Sequence, residues 1–408
     1  MKRILYAAIA LFITLGGISC EKMGKNDNSY KRLELSTKAT EYVNRGNDFA
    51  FKFIDKVNDA ETGDFFISPL SMQFLLGMLL DGADGQTADE ICNVLGYGAG
   101  EVDAVNDFCR SMLKQLPEMD RQTSLEIANA IVVNKNYPLL PGYTSAVRKY
   151  FEAEVSNLDF SDASGTVDKI NKWCSRHTNG LIPSIINEVS PDAIVYLMNA
   201  LYFKSQWKDK FSKSITALET FTREDGSKGK VQMMKASRKY SCQGNDVFSA
   251  VRLPYGNGVF SMVVILPNKG KTVNDVTDYL TADTWNEFVR TMVSCEVDLW
   301  LPKFETSYKI QLNDILADMG MPSAFNAMSA NFKAMSNVDL YLSLVKQNAV
   351  INVDEEGTEA AAVSFSGMLM ESVGPGDFVV FHADRPFLYL ITEASTGAIL
   401  FAGKYSDK

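Results

Sequence analysis

The chain has 408 residues, 46% hydrophobic and 22% charged, with a formal net charge of -10. Such a composition can bury a sizeable core, which sets aside disordered and fibrous classes. The acidic balance argues against a nucleic-acid partner, which needs clustered Lys and Arg. No Pro- or Ser-rich linker divides the chain, so one large domain is expected.

Lys2 and Arg3 precede an apolar run over residues 4–18, too short to span a bilayer but of signal-peptide length. The run closes in Gly16-Gly17-Ile18-Ser19-Cys20, similar to a bacterial lipoprotein cleavage site at which Cys20 becomes acylated. Simple signal-peptidase cleavage near the same point is the alternative. Residues 1–19 are therefore read as a signal peptide, 20–37 as a lipidated cysteine with a flexible tether, and 38–408 as the folded domain. The expected location is a membrane-anchored lipoprotein at the cell surface or periplasm, otherwise extracellular, with the lipid as the only membrane contact. Of six cysteines, the five after Cys20 (Cys92, Cys109, Cys174, Cys242 and Cys295) show no CxxC and no metal spacing. An odd count leaves at least one thiol unpaired, and buried free cysteines are expected rather than a disulfide framework.

In chain order, residues 39–57 read as a helix with Tyr42, Phe49, Phe53 and Ile54 near one face, and 71–80 as an apolar helix ending at Gly82. Thr87 is placed to cap a short helix, with Glu90 completing a capping box. Helices are expected over 102–116 and 167–176, and strands over 125–134 and 193–203, the latter apolar enough to be buried on both faces. Residues 248–253 and 259–266 flank Tyr255-Gly256-Asn257-Gly258 as a β-hairpin. Residues 296–301 alternate, 340–353 are long and β-prone, and 387–392 with 398–403 form a closing pair. The sum is an α+β domain, with helices early and antiparallel sheets late.

Chemistry for an enzyme is missing. The chain has two histidines, His177 and His382, and neither sits in a nucleophile signature. GxSxG, HExxH, GxxxxGK[ST] and GxGxxG are all absent, so no catalytic role, cofactor or metal is expected.

One stretch departs from ordinary composition. From Asp354 the chain reads Glu355-Glu356-Gly357-Thr358-Glu359-Ala360-Ala361-Ala362, an alanine run continuing a strand although Ala and Glu are poor strand formers. A surface helix would suit it on composition alone; the context points elsewhere. Together with Phe66-Ile67-Ser68-Pro69-Leu70-Ser71, Asn199-Ala200-Leu201-Tyr202-Phe203-Lys204, Leu301-Pro302-Lys303-Phe304 and Phe381-His382-Ala383-Asp384-Arg385-Pro386-Phe387-Leu388, this hinge closely resembles the serpin family, from about residue 38 onward.

The resemblance implies the serpin fold, with three β-sheets, about eight or nine helices, and an exposed reactive loop near the C-terminus over about 357–376. It also implies a serine-type endopeptidase inhibitor acting as a suicide substrate: the loop is cleaved, an acyl-enzyme forms, and the loop inserts into the main sheet. Under strand alternation Thr358, Ala360, Ala362, Ser364 and Ser366 would face inward, all small and uncharged, and Glu359, Val363 and Phe365 outward. The resemblance further places Ser68, Ser71 and Asn199 in a polar cluster beneath the opening sheet and Trp207 where insertion starts. Gln347 stands where many members carry His, and its amide can both donate and accept.

Family spacing puts the scissile bond at Glu371-Ser372, with Met368, Leu369 and Met370 as alternates, because the loop is longer than usual around Gly374-Pro375-Gly376. The implied partners are elastase-, chymotrypsin-, subtilisin- or glutamyl-specific serine proteases, with cysteine proteases as further candidates, met by a monomer. The competing reading is a non-inhibitory serpin serving as a binding protein or a protease substrate.

Overall fold

Ser68 accepts the backbone N–H of Ser71 and Pro69 fills the first turn, so the apolar helix Pro69–Gly82 starts two residues ahead of its periodic run. Nearly every residue of that helix is buried, which makes it the spine on which the sheets close. In the computed structural model, residues 28–98, 100–358 and 378–407 are described. They contain nine α-helices, and the long early ones, Thr37–Ala60, Val102–Gln115 and Ala163–His177, cover the expected positions.

The main sheet has six strands in the order Phe304–Gln311, Leu342–Val353, Gly357–Thr358, Val195–Gln206, Thr123–Asn134 and Glu154–Leu158. The strand Val195–Gln206 is buried along almost its whole length, as its unbroken apolar run requires. A second sheet has nine strands, including the hairpin Phe248–Pro254 with Phe260–Pro267 and the closing pair Phe387–Glu393 with Ile399–Tyr405. The resemblance implies three sheets; by hydrogen bonding the described strands form two, because two of the three merge into the nine-stranded one. The merged two share the long strand Lys228–Gly244, which pairs with Ala217–Thr222, Val293–Pro302 and Phe248–Pro254 along successive stretches, so hydrogen bonds run through both.

Three expectations need correction. Thr87 lies inside the helix Gly85–Leu95, which Asp84 caps instead; the Thr87 hydroxyl accepts the Asn331 N–H, and Glu90 accepts from Ser323. Cys242 and Cys295 form a disulfide, while Cys92, Cys109 and Cys174 are free. Their strands are neighbours, and Cys242 faces Val293 while Tyr240 faces Cys295, a diagonal offset that brings the two sulfurs together. Finally, residues 28–36, expected within a flexible tether, are held on the domain: Asn28 bonds Asp120, Leu33 is buried, and Ser36 caps the first helix.

Beneath the helical face lies one acid whose surroundings oppose its charge. Burial pushes the Asp81 carboxyl up to about 6, although Asn106 donates to its Oδ1 at 2.7 Å, and its Oδ2 has no partner among the described residues. Between the ordinary 3.8 and about 6 the folded chain therefore holds a proton that the unfolded chain has released. Stability falls as pH rises through that window, and the full penalty is present at pH 7, at most about 3 kcal/mol. Asp81→Asn, which keeps an acceptor for Asn106, is expected to raise the denaturant midpoint of unfolding at pH 7. The gain should vanish below about pH 4, as a pair of urea titrations at the two pH values would reveal.

Candidate functional site

The two central strands of the main sheet, Val195–Gln206 and Leu342–Val353, run parallel and pair directly from Leu342 opposite Val195 to Val350 opposite Tyr202. Beyond that point they diverge. Gly357 and Thr358 occupy the gap, antiparallel to both neighbours, with Thr358 opposite Ser205 on one side and Val353 on the other. The start of the expected loop thus lies between the strands that loop insertion would have to part. Glu359 to Asp377 lie outside the described residues, including Ala360, Ala361, Ala362, Met368, Leu369, Met370, Glu371 and Ser372.

Close approach fixes the residue types at this junction. A Cβ on Gly357 would fall within 2.6 Å of the Gln206 Cα and closer still to the Ser205 carbonyl oxygen, so only glycine fits. Thr358 is fully buried, and its hydroxyl lies 2.6 Å from that of Tyr255. Burial pushes the Tyr255 phenol far up, so it keeps its proton throughout the physiological range. Trp207 stacks on Tyr255 with ring centroids 4.4 Å apart, and its indole N–H donates to the Asp354 carbonyl at 2.8 Å. Its backbone N–H donates to the Glu356 carbonyl, and Phe211 N–H to that of Glu355. The Asp354 carboxylate accepts the N–H groups of Glu356 and Gly357, closing the turn that carries the chain off its strand.

Charges pin the same turn from outside. Glu356 pairs with Lys210 at 2.7 Å and Lys213 at 3.2 Å, and Glu355 pairs with Lys303 at 3.0 Å. Lys210 beside Glu356 holds that carboxyl below its ordinary range. Burial pushes Glu355 up, but its own backbone N–H and Lys303 outweigh that and leave it lowered. Folded values below the ordinary 4.5 mean that these pairs support the turn above that pH and lose their support as pH falls through the lowered values.

Lower in the seam, a polar row crosses three strands. Asn129 faces Asn199, and Asn199 faces Gln347. Asn199 donates to Asn129 at 2.9 Å, and the Gln347 amide donates to Asn199 at 3.4 Å and to the Ser68 carbonyl at 3.0 Å. In return Ser68 N–H donates to Gln347 Oε1 at 2.8 Å, and the Ser68 hydroxyl to the Leu400 carbonyl at 2.7 Å. Ser71 joins only through its backbone N–H; its hydroxyl is buried with no partner among the described residues. Asn129 and Tyr255 were not singled out from the sequence. An asparagine within the run Leu125 to Asn134 was the available signal for the first, and Tyr255 carried none beyond its place beside a turn.

The two histidines are paired structurally: His177 with Glu154 at 2.8 Å, and His382 with Asp298 at 2.8 Å while stacked on Trp300. Among the described residues no three metal-ligating side chains gather, and no helix is long and apolar enough to cross a membrane.

A six-stranded sheet with a hinge seated in the gap of its parallel central seam, backed by a nine-stranded sheet, defines the serpin fold. The chain belongs to the serpin family: the family model, Serpin (serine protease inhibitor), matches residues 44–408. The family typically comprises inhibitors of serine proteases rather than catalysts, and both inhibitory and non-inhibitory relatives are found. The chain is 33% identical over 377 residues to the leukocyte elastase inhibitor of Xenopus tropicalis, covering 88% of this chain and 97% of that protein. It is 32% identical over 365 residues to Iripin-3 of Ixodes ricinus, covering 88% and 92%. Among solved structures it superposes on Tengpin, a thermophilic serpin in its native state, with a TM-score of 0.85, 28% identity and coverage of 93% and 96%. Thyroxine-binding globulin in complex with thyroxine gives a TM-score of 0.81 at 27% identity, covering 90% and 99%.

Replacing Gln347 by leucine strips Ser68 of the partner for its buried N–H and of one of two donors to its carbonyl, the other being the Met72 N–H. Gln347→Leu is expected to destabilise the native state by roughly 2 to 4 kcal/mol at every pH. Gln347→His should make stability vary between about pH 5 and 8, because an imidazole titrates there. Thermal melts of the two variants across that range test both statements, and a pH-independent histidine variant would count against this place for the side chain.

Proposed function

We propose that the chain inhibits serine proteases as a suicide substrate. The reading rests on one observation above all: Gly357 and Thr358 already lie between the parted ends of the two central strands, antiparallel to both. Each residue that follows them into the seam replaces one stretch of parallel ladder by two antiparallel ones, and antiparallel pairing is slightly more stable per residue.

Chemically, the protease serine attacks the carbonyl carbon of the scissile residue. An ester forms, the peptide bond breaks, and the new amino terminus leaves with the C-terminal fragment. The freed loop end then follows Thr358 into the seam and carries the esterified protease along, before water reaches the ester. Glu371-Ser372 is the proposed bond, with Met368, Leu369 and Met370 as alternates, which sets glutamyl-specific enzymes against elastase-, chymotrypsin- and subtilisin-like ones; cysteine proteases with apolar pockets are further candidates. Leukocyte elastase inhibitor among the relatives favours an elastase-like target. Thyroxine-binding globulin, complexed with thyroxine, is the counterexample that keeps a carrier role as the second reading. We further propose export by a signal peptide over 1–19 and anchoring through an acylated Cys20 at a cell surface or periplasmic membrane.

Thr358 supplies the decisive variant. Its side chain is small, uncharged and fully buried, and an arginine there would have to bury an unpaired charge at a cost of several kcal/mol. Thr358→Arg is expected to be cleaved without forming a complex, whereas the parent forms a denaturant-stable complex on gels with at least one of these proteases. Mass spectrometry of the released C-terminal peptide then names the bond. A covalent complex surviving in Thr358→Arg would refute the mechanism, and clean cleavage of the parent by every protease would favour the carrier or substrate reading. The same instrument applied to the mature N-terminus should find an acyl mass on Cys20; an unmodified N-terminus rules the anchor out.

A further inference from the structure

Residues 28–36 do more than lead into the first helix. The Asn28 amide donates to Asp120 Oδ1 at 2.8 Å, and its carbonyl oxygen accepts the Arg121 N–H at 2.9 Å. Asn257 donates to the Ser29 carbonyl at 3.2 Å, and Lys31 reaches the Glu118 carbonyl at 2.6 Å. Farther along, Leu33 is buried and donates its N–H to the Ser395 hydroxyl at 3.1 Å. Glu34 and Gln115 exchange two hydrogen bonds, at 2.9 Å and 3.1 Å.

Asp120, at 1% exposure, is the hub of these contacts. Besides Asn28, its carboxylate accepts Thr123 Oγ1 at 2.9 Å and the Asn257 N–H at 3.3 Å. Because the Thr123 proton goes to Asp120, the Ser205 hydroxyl, 2.7 Å from Thr123, must donate to Thr123. Ser205 is the strand partner of Thr358. The second route is as short: a Cβ on Gly256 would collide with the Asp120 carboxylate, and the Gly256 N–H donates to the carbonyl of Gln206, which pairs with Gly357. Asn28 is therefore two side chains from the mouth of the seam.

The strap also joins two bodies. Asp120 and Arg121 stand at the head of Thr123–Asn134, which moves with Val195–Gln206 when the seam parts. Ser395 and Asn257 belong to turns of the nine-stranded sheet, which stays; Ser395 holds the strap at Leu33 and Asn257 holds it at Ser29, beside Asn28. Parting the seam must break the Asn28 bonds to Asp120 and Arg121 or pull Ser29 and Leu33 off their partners. Between these points lie Lys31 and Arg32, both exposed, a dibasic pair open to trypsin-like proteases. We propose that residues 28–36 brace the seam against premature insertion, and that a cut at Lys31 or Arg32 releases the brace. This inference rests on the inserting-loop reading above. After the cut the two halves no longer share one chain, so each must hold its site without the effective concentration supplied by the other.

The test uses the full mature chain and follows the rate at which it converts, on warming and without any target protease, to a loop-inserted form with a raised melting temperature. Asn28→Leu and Leu33→Ser are each expected to convert about fivefold faster than the parent, the rate equivalent of about 1 kcal/mol, through lost hydrogen bonds at Asn28 and lost apolar burial at Leu33. Brief trypsin treatment, with the cut in the strap verified by mass, should accelerate the parent at least as much. It should leave a Lys31→Gln/Arg32→Gln chain at the parent rate. Conversion of both strap variants and of the cut parent at the uncut parent's rate overturns the brace, as does a parent and variants that never convert. Complex formation with proteases, assayed on the same samples, separates the two proposals: if no complex forms anywhere the inhibitor reading fails, while the conversion rates still decide the brace.

Discussion

The parallel pairing of Val195–Gln206 with Leu342–Val353 is the contact on which the other features depend. Slanted hydrogen bonds between parallel strands hold slightly less per residue than an antiparallel ladder. Here such a pair occupies the centre of a sheet whose neighbouring joins, Phe304–Gln311 with Leu342–Val353 and Thr123–Asn134 with Val195–Gln206, are antiparallel. That ladder is thus flanked by stronger ones, and since the sheet's other parallel join, Thr123–Asn134 with Glu154–Leu158, lies at the edge, the central pair is the one internal line along which such a sheet parts most readily. Gly357 and Thr358 stand at the end of that line because glycine alone tolerates the approach of the Ser205 carbonyl and because a small hydroxyl can bond Tyr255 without carrying charge inward.

What keeps the line shut is polar rather than apolar. Asn129, Asn199, Gln347 and Ser68 are all buried, so each of their bonds must be exchanged for another before the strands can separate, and none can be exchanged for water while the sheet is closed. Apolar side chains could slide past one another with a modest change in contact. A row of mutually satisfied amides instead gives two discrete arrangements with a barrier between them, which is what a protein needs if its stability is kinetic. At the mouth, the same logic is carried by Trp207 and Asp354 and by the lysine pairs of Glu355 and Glu356.

Much of this was legible in the sequence, and the reasons differ by element. The run from Ala193 to Phe203 announces a strand buried on both faces because nothing in it could face water. The hinge stood out because its alanines contradict strand propensity. Ser68 and Asn199 were reached only through the family resemblance, and Gln347 because it departs from it. Asn129, Asp120 and Tyr255 could not be reached this way, since each acts through the register of strands distant in sequence. The disulfide escaped for the same reason: Cys242 and Cys295 are 53 residues apart, and only the pairing of Lys228–Gly244 with Val293–Pro302 makes them neighbours. Residues 28–36 resemble a tether because their docking relies on hydrogen bonds around a single buried leucine, and polar docking leaves no hydrophobic period to read.

The stack of Trp207 on Tyr255 also makes the mouth of the seam optically distinctive. Of four tryptophans, Trp285 is locked in the core between Phe51 and Phe288, Trp173 sits on the helix Ala163–His177 with its ring beside His177, and Trp300 is sandwiched by Lys235 and His382. Trp207 alone has its indole N–H bonded to the backbone of the hinge turn, so a change at that turn would reach its ring directly. The molecule therefore carries its own fluorophore against the hinge turn, and under the proposed insertion its emission would report the state of that turn without any added label.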